Sequence, residues 1–382
     1  MTRGPTPDVL IVGAGIVGAA CADALTRRGL SVLVLDSRFA GAGVTAAGMG
    51  HVVVMDDSEA QFQLTAYSRE LWSDLAGELS RDCEDEPCGT LWIAENEEEW
   101  TAVRAKAAAY ESHGVSVEIL DARALAQAEP NLRPGLCGAL RVPDDRVIYP
   151  PNAARWLLER AKSRGARVRE RCEVMAATAT DVTLSTEQVS AGSVVNAAGP
   201  EAPRLTPGLP IEPRKGHLVI TDRYPGFCRH QLVELGYLKS AHVLTAGASS
   251  VAFNVQPRAT GQFLIGSSRE FAGWNSAPNP EILERMIRRG VAFMPALANL
   301  SALRVWTGFR PSTPDKLPLI GQWRSTDTHR PGPWIAAGHE GLGITTATGT
   351  AEILAALITG ETPAIDPAPF DPNRSMPSGA AH

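Results

Sequence analysis

The chain has few lysines, no clustered cysteines and no long apolar run, and each lack removes a class of function. Its lysines are Lys106, Lys162, Lys215, Lys239 and Lys316 only, and arginines make up the rest of 36 basic residues without forming a block. With a formal net charge of −6, nothing resembles a nucleic-acid footprint. The cysteines (Cys21, Cys83, Cys88, Cys137, Cys172 and Cys228) are scattered, and only Cys83 and Cys88 are close, with no histidine nearby. That is not zinc or iron–sulfur spacing, so reduced thiols and no metal are expected. No segment approaches the roughly 18–20 apolar residues that cross a bilayer. The leading "MTRGPTPD" carries no apolar core of signal-peptide type. These lacks together predict a cytoplasmic protein with no integral membrane segment. A length of 382 residues exceeds what one hydrophobic core usually organises, so two domains are expected.

What is present starts with "DVLIVGAGIVGAACADALTRRGLSVLVLD" at 8–36. Val9–Val12 reads as a buried strand, Ala19–Arg28 as a helical run stopped by Gly29, and Ser31–Leu35 as a second strand ending on Asp36. Gly13, Gly15 and Gly18 form G-x-G-x-x-G inside this unit. Gly13 permits the tight turn, Gly15 lets the backbone approach a pyrophosphate, and Gly18 lets helix and strand pack closely. Asp36 suits a ribose hydroxyl and would repel a 2′-phosphate, which argues against NADP. The pattern does not separate FAD from NAD.

Four later stretches bear on that choice. After Asp36 comes a small-residue loop, "SRFAGAGVTAAGMGHVV", where an NAD dehydrogenase would start another βα unit. "YPPNAARWLLERAKSRGARVRERCEV" (149–174) reads as a helix capped by Asn152, stopped by Gly165 and followed by a strand over 166–174. "SVVNAAGPEAPRL" (193–205) is a strand breaking into Ala-Ala-Gly. "GPWIAAGHEGLGITTATGTAEILAALITGETPAID" (332–366) is a strand, a glycine-rich turn and a helix stopped by Gly360. A glycine-rich helix start favours an anion.

In this order the stretches resemble the FAD-dependent D-amino-acid oxidase-like family, which includes glycine oxidase, sarcosine oxidase and D-amino-acid dehydrogenase. The resemblance covers roughly residues 8–366. "GFRPSTPDKLPLIG" resembles the family's G-[LFYI]-R-P…P-D…P-[LI]-[IL]-G signature, in which the arginine pairs with the substrate carboxylate; Arg310 is the matching position. A structural ion pair of Arg310 with Asp315 or Asp222 is the alternative. "PRKGHLVIT" and "FLIGSSREFAGWN" resemble further family segments. The resemblance implies FAD held by Gly13, Gly15, Gly18, Asp36, Ser37, Arg38, Thr45, Ala46, Gly48 and Met49 at the first unit. Val174, Ala198 and Gly199 would line its adenine half, and Gly338, Gly341, Leu342, Gly343, Ile344 and Thr345 its flavin. His51 follows the flavin loop, and the resemblance implies that Tyr237 would cap a carboxylate or amine beside Arg310; both join Arg310 as candidate catalytic residues. Trp274 and Trp306 read as core.

The implied fold is α/β plus α+β: a Rossmann-like FAD-binding domain (1–85, 145–208 and 303–370), a discontinuous antiparallel-sheet substrate domain (86–144 and 209–302) and a flexible tail (371–382). The implied reaction is oxidation of a small or cyclic amino acid to an imine by hydride transfer to flavin N5. "AAGMGHVVVMDDSEAQFQLTAYS" with "ELGYLKSAHVL" (234–244) looks most like the branch that oxidises cis-4-hydroxy-D-proline. Dioxygen, a quinone or a partner subunit could take the electrons, and a homo- or hetero-oligomer fits. An NAD-linked dehydrogenase and a non-catalytic flavin-binding subunit of an electron-transfer complex stay open as alternatives.

Overall fold

The computed structural model describes residues 5–236, 249–324 and 330–376. Val9–Val12 is buried on both faces, which suits a continuous apolar run in a parallel sheet. It pairs in parallel with Ser193–Asn196 on one side and Val32–Leu35 on the other. Pro331–Ala337 and Leu319–Arg324 extend this six-stranded sheet at one edge, and Arg167–Arg169 closes the other. Helices Ile16–Arg27, Pro150–Ser163 and Ala347–Thr359 bury Leu25, Leu157, Leu158, Ile353 and Leu354 in one core. Gly29 (φ 81°) and Gly360 (φ 76°) take the left-handed positions after their helices, as the sequence predicts.

The second sheet has eight strands in the order Ala302–Ser312, Glu212–Thr221, Phe263–Arg269, Ser250–Pro257, Gln231–Glu234, Thr90–Ala94, Gly138–Val142 and Glu118–Asp121. All neighbours run antiparallel except Gln231–Glu234 beside Thr90–Ala94. Helix Pro280–Phe293 packs on this sheet, and the Asn279 side chain caps it by accepting from the Glu281 and Ile282 amides. A Rossmann-like unit and a sheet domain are thus both present, as the sequence implies.

Four local expectations are corrected. Asn152 does not cap its helix: Tyr149 stands at the N-cap position with no side-chain capping bond, because Pro150 and Pro151 fill the first turn, where a missing N–H costs nothing. Asn152 instead donates to the Asp82 carbonyl. The strand expected over 166–174 breaks into Arg167–Arg169 and Val174–Ala177, with Arg171 between them at φ 54°. The domain boundary placed at 303 cuts a strand: Ala302–Ser312 belongs wholly to the eight-stranded sheet, in register with Glu212–Thr221. The tail is not loose over 371–376, because Arg374 bonds both Asp315 oxygens (2.8 and 2.9 Å) and Asn373 bonds the Gln322 carbonyl. Among the described residues no helix is long and apolar enough to cross a membrane.

Candidate active site

The first glycine turn is packed so closely that side chains are excluded. Gly13 lies at φ 112°, and a Cβ there would stand 2.5 Å from the Ala197 carbonyl oxygen. A Cβ on Gly18 would stand 2.0 Å from the Gly13 oxygen, the close helix–strand approach the fingerprint requires. Asp36 ties the unit together: its carboxylate accepts from the Ala14 and Arg38 amides, each at 2.7 Å. Thr45 reaches back from the next loop to accept from the Ile16 amide at 3.0 Å.

This turn opens onto a cavity of about 880 Å³ that runs between the two sheets. Gly13, Gly15, Asp36, Ser37, Arg38 and Thr45 line one end, and Val174, Ala198 and Gly199 line the same end from the neighbouring segments. Gly48, Met49 and His51 carry the wall onward to Gly341, Leu342, Gly343 and Ile344. Trp72 fixes that last turn, since its fully buried indole donates to the carbonyls of Ile344 and Thr345, both at 3.1 Å.

The opposite wall is the eight-stranded sheet. Its rows Gly216–Gly308 and Leu218–Trp306 face the small-residue loop. A Cβ on Gly308 would meet the Ala47 Cβ at 2.7 Å, and the Trp306 indole donates to the Ala47 carbonyl at 3.3 Å. The next row pairs Arg214 directly with Arg310. Arg310 lies in the cavity wall, its Nη1 donating to the Ser268 carbonyl at 2.9 Å and its Nε 3.9 Å from Glu340. A Cβ on Gly216 would stand 2.3 Å from that Nη1, so glycine is what lets the guanidinium lie flat on the strand. Of the two ion-pair partners that the sequence leaves open, Asp315 is held by Arg374, and the Asp222 carboxylate accepts from the Arg223 amide. Trp274 is not core: it is half exposed, tilts against Phe309 at 5.3 Å and lines the cavity with it.

Burial, with the Arg310 charge added, pushes the His51 imidazole down to about 4, so it is neutral near pH 7. Its buried Nε2 has no hydrogen-bond partner among the described residues. His217 is structural: Nδ1 meets the Ser268 hydroxyl at 2.8 Å, and Nε2 accepts from the Asn279 amide. His339 is structural too, with Nε2 3.0 Å from the Thr350 hydroxyl, and burial pushes it down to about 3. The unfolded chain therefore takes up this proton first as pH falls. The stabilisation from His339 is complete above about pH 6.5 and is lost towards pH 3, at roughly 1.4 kcal/mol per pH unit. Replacing His339 with Asn should flatten the fall in melting temperature between pH 7 and 5; identical slopes in both proteins would count against this.

Not every expected residue reaches the cavity. Gly18 and Gly338 shape backbone, Gly338 at φ 80° with a Cβ site 2.7 Å from Thr313. Thr345 is buried behind the wall and donates to the His51 carbonyl at 2.9 Å, and Ala46 points to solvent. Tyr237 lies outside the described residues. Sequence reasoning missed Arg214, Lys316, Phe309 and the Glu340 carboxylate, all on the wall. Alternation from Arg310 along its strand could have suggested the face, but its pairing with Arg214 has no local signal.

The residues present fit FAD. Three chain segments supply one continuous wall from the glycine turn to Arg310, the cradle at Gly13 and Gly48 excludes a Cβ, and the wall residue His51 has a buried ring nitrogen with no hydrogen-bond partner among the described residues. Comparison with known proteins agrees. Glycine oxidase from Pseudomonas putida is 28% identical, over 95% of this chain and 98% of that protein. Hydrogen cyanide synthase subunit HcnC from Pseudomonas aeruginosa is 27% identical over 98% of both chains. The crystal structure of L-proline dehydrogenase from P. horikoshii superposes with a TM-score of 0.84 at 25% identity, covering 97% of this chain and 98% of that one. The family model for FAD dependent oxidoreductases of the DAO type matches residues 8–357, and the chain belongs to that family.

Proposed function

We propose that the protein oxidises a small or cyclic α-amino acid to its imine, in the cytoplasm. The observation that carries this is Arg310, a guanidinium set in the wall of the cavity that the glycine turn opens. FAD, when bound, supplies the two-electron acceptor. Arg310 would grip the substrate carboxylate through its fork, which suits two parallel hydrogen bonds better than a lysine does. Tight placement of the reacting carbon can lower a barrier by several kcal/mol. The Gly341–Ile344 turn before helix Ala347–Thr359 would put backbone amides where negative charge develops. His51, neutral, would offer Nε2 to the amine or to a ring substituent. Phe309 and Trp274 would limit water and side-chain size.

The finer reading is cis-4-hydroxy-D-proline. The likeness to a protein named L-proline dehydrogenase supports a cyclic secondary amine. His51 on the wall supports a hydrogen-bonding substituent; the rest of that motif, from 237 onward, lies outside the described residues. The likeness to a protein named as a synthase subunit supports a partner subunit as one electron acceptor beside dioxygen and quinone.

Anaerobic bleaching of the yellow holoenzyme tests the assignment. Glycine, sarcosine, D-proline and cis-4-hydroxy-D-proline form the panel, and the last should bleach fastest. Rates should rise with pH as the substrate amine loses its proton, with no limb from His51. A protein that stays yellow with all four would be an inert flavin-binding subunit.

A further inference from the structure

Arg214 and Arg310 stand opposite each other in register, an arrangement that like charges disfavour. Both line the cavity. What lies between them is Glu340. Its Oε1 accepts from Arg214 Nη1 at 3.0 Å, and its Oε2 is 3.9 Å from Arg310 Nε. The first is a charge-assisted hydrogen bond; the second is Coulombic only.

The backbone serves this placement. Glu340 is a non-glycine residue at φ 48°, in a region that costs a side-chain-bearing residue free energy. Its amide donates to the Pro311 carbonyl at 3.0 Å, one residue beyond Arg310. Gly341 follows, where a Cβ would stand 3.2 Å from Arg310 Nε. The turn therefore sits directly on the arginine it faces. The carboxylate is almost fully buried, and burial disfavours its charge. Arg269, Arg310 and Arg214 outweigh that and hold it below the ordinary carboxylate range. The cations acting on this carboxylate among the described residues include Arg214, Arg269, Arg310 and Lys316, and all four line the cavity.

We infer that Glu340 is a positioning residue: a built-in counter-ion that offsets the repulsion between Arg214 and Arg310 and so keeps the Arg310 fork presented to a substrate carboxylate. This rests on the carboxylate-binding role proposed for Arg310. A simple competitor for Arg310 would sit within hydrogen-bond reach of it. Glu340 instead bonds the neighbouring arginine and stands off from Arg310.

The test uses the FAD-loaded enzyme, the best amino acid of the panel, and benzoate as a carboxylate that cannot be oxidised, followed by the flavin spectrum. Glu340→Gln should weaken benzoate binding and raise KM by about tenfold or more, with kcat moving much less. The double variant Glu340→Gln/Arg214→Gln should recover most of the loss, because the charge that needs offsetting is gone. Glu340→Asp keeps the charge, and aspartate tolerates the left-handed backbone, so it should bind benzoate better than Glu340→Gln. Unchanged or tighter binding in Glu340→Gln would overturn the inference, as would a double variant no better than the single one. A purely structural role predicts that the double is the worse of the two. Failure of the native enzyme to bind any carboxylate would instead overturn the role given to Arg310, and this inference with it.

Discussion

Replacing Arg310 with Lys should leave a yellow, folded protein whose reduction by amino acid is slowed roughly 10- to 100-fold at limiting substrate, which corresponds to about 1.5–3 kcal/mol for a lost hydrogen bond to a charged group. The charge is kept but the fork is not. A lysine cannot donate to the Ser268 carbonyl and hold a carboxylate with two parallel bonds at once. The flavin spectrum should stay intact because the glycine turn at 13–18 and the wall at 341–344 are built from other segments. Stopped-flow reduction across the amino-acid panel measures the effect. Equal rates in native and variant protein would place the substrate acid elsewhere.

Gly18→Ala should have the larger effect on the molecule as a whole. The new methyl would stand 2.0 Å from the Gly13 carbonyl oxygen, and backbone cannot step aside as a flexible side chain does. Overpacking of this kind costs about 1–3 kcal/mol and at times more. Here it would also displace the turn that receives the dinucleotide. The purified variant should be nearly colourless and melt well below the native protein. Gly15→Ala makes the contrast: its methyl meets only the Thr45 hydroxyl, at 3.1 Å. That variant should fold and lose cofactor affinity alone. A yellow Gly18→Ala protein with native melting would contradict the packing account.

The parts of the fold legible in the sequence are those governed by neighbours along the chain. The run Val9–Val12 and the Gly29 and Gly360 helix stops each depend on a few adjacent residues, and each forms the element the sequence predicts. The Asn152 cap failed on equally local grounds, since two prolines outrank an asparagine for the first turn. Other features depend on distant pairing. Arg214 and Arg310 are brought face to face by a register between strands about ninety residues apart, and no local period reports it. Glu340 reads in sequence as one letter of a glycine-rich turn. Its role becomes visible only once that turn lies on the arginine strand. Trp274 reads as core from its apolar bulk, whereas its packing against Phe309 at the cavity depends on the fold.

Gly13, Gly18, Gly216 and Gly308 bear on how mutational data from this enzyme family are interpreted. Two surfaces meet there because atoms are missing, so alanine at these positions is an insertion rather than a deletion. Scanning by truncation, which ranks a residue by what is taken away, would score them as silent by design and then find them among the most damaging. At these places the tolerance of the fold is held by positions with no side chain to remove.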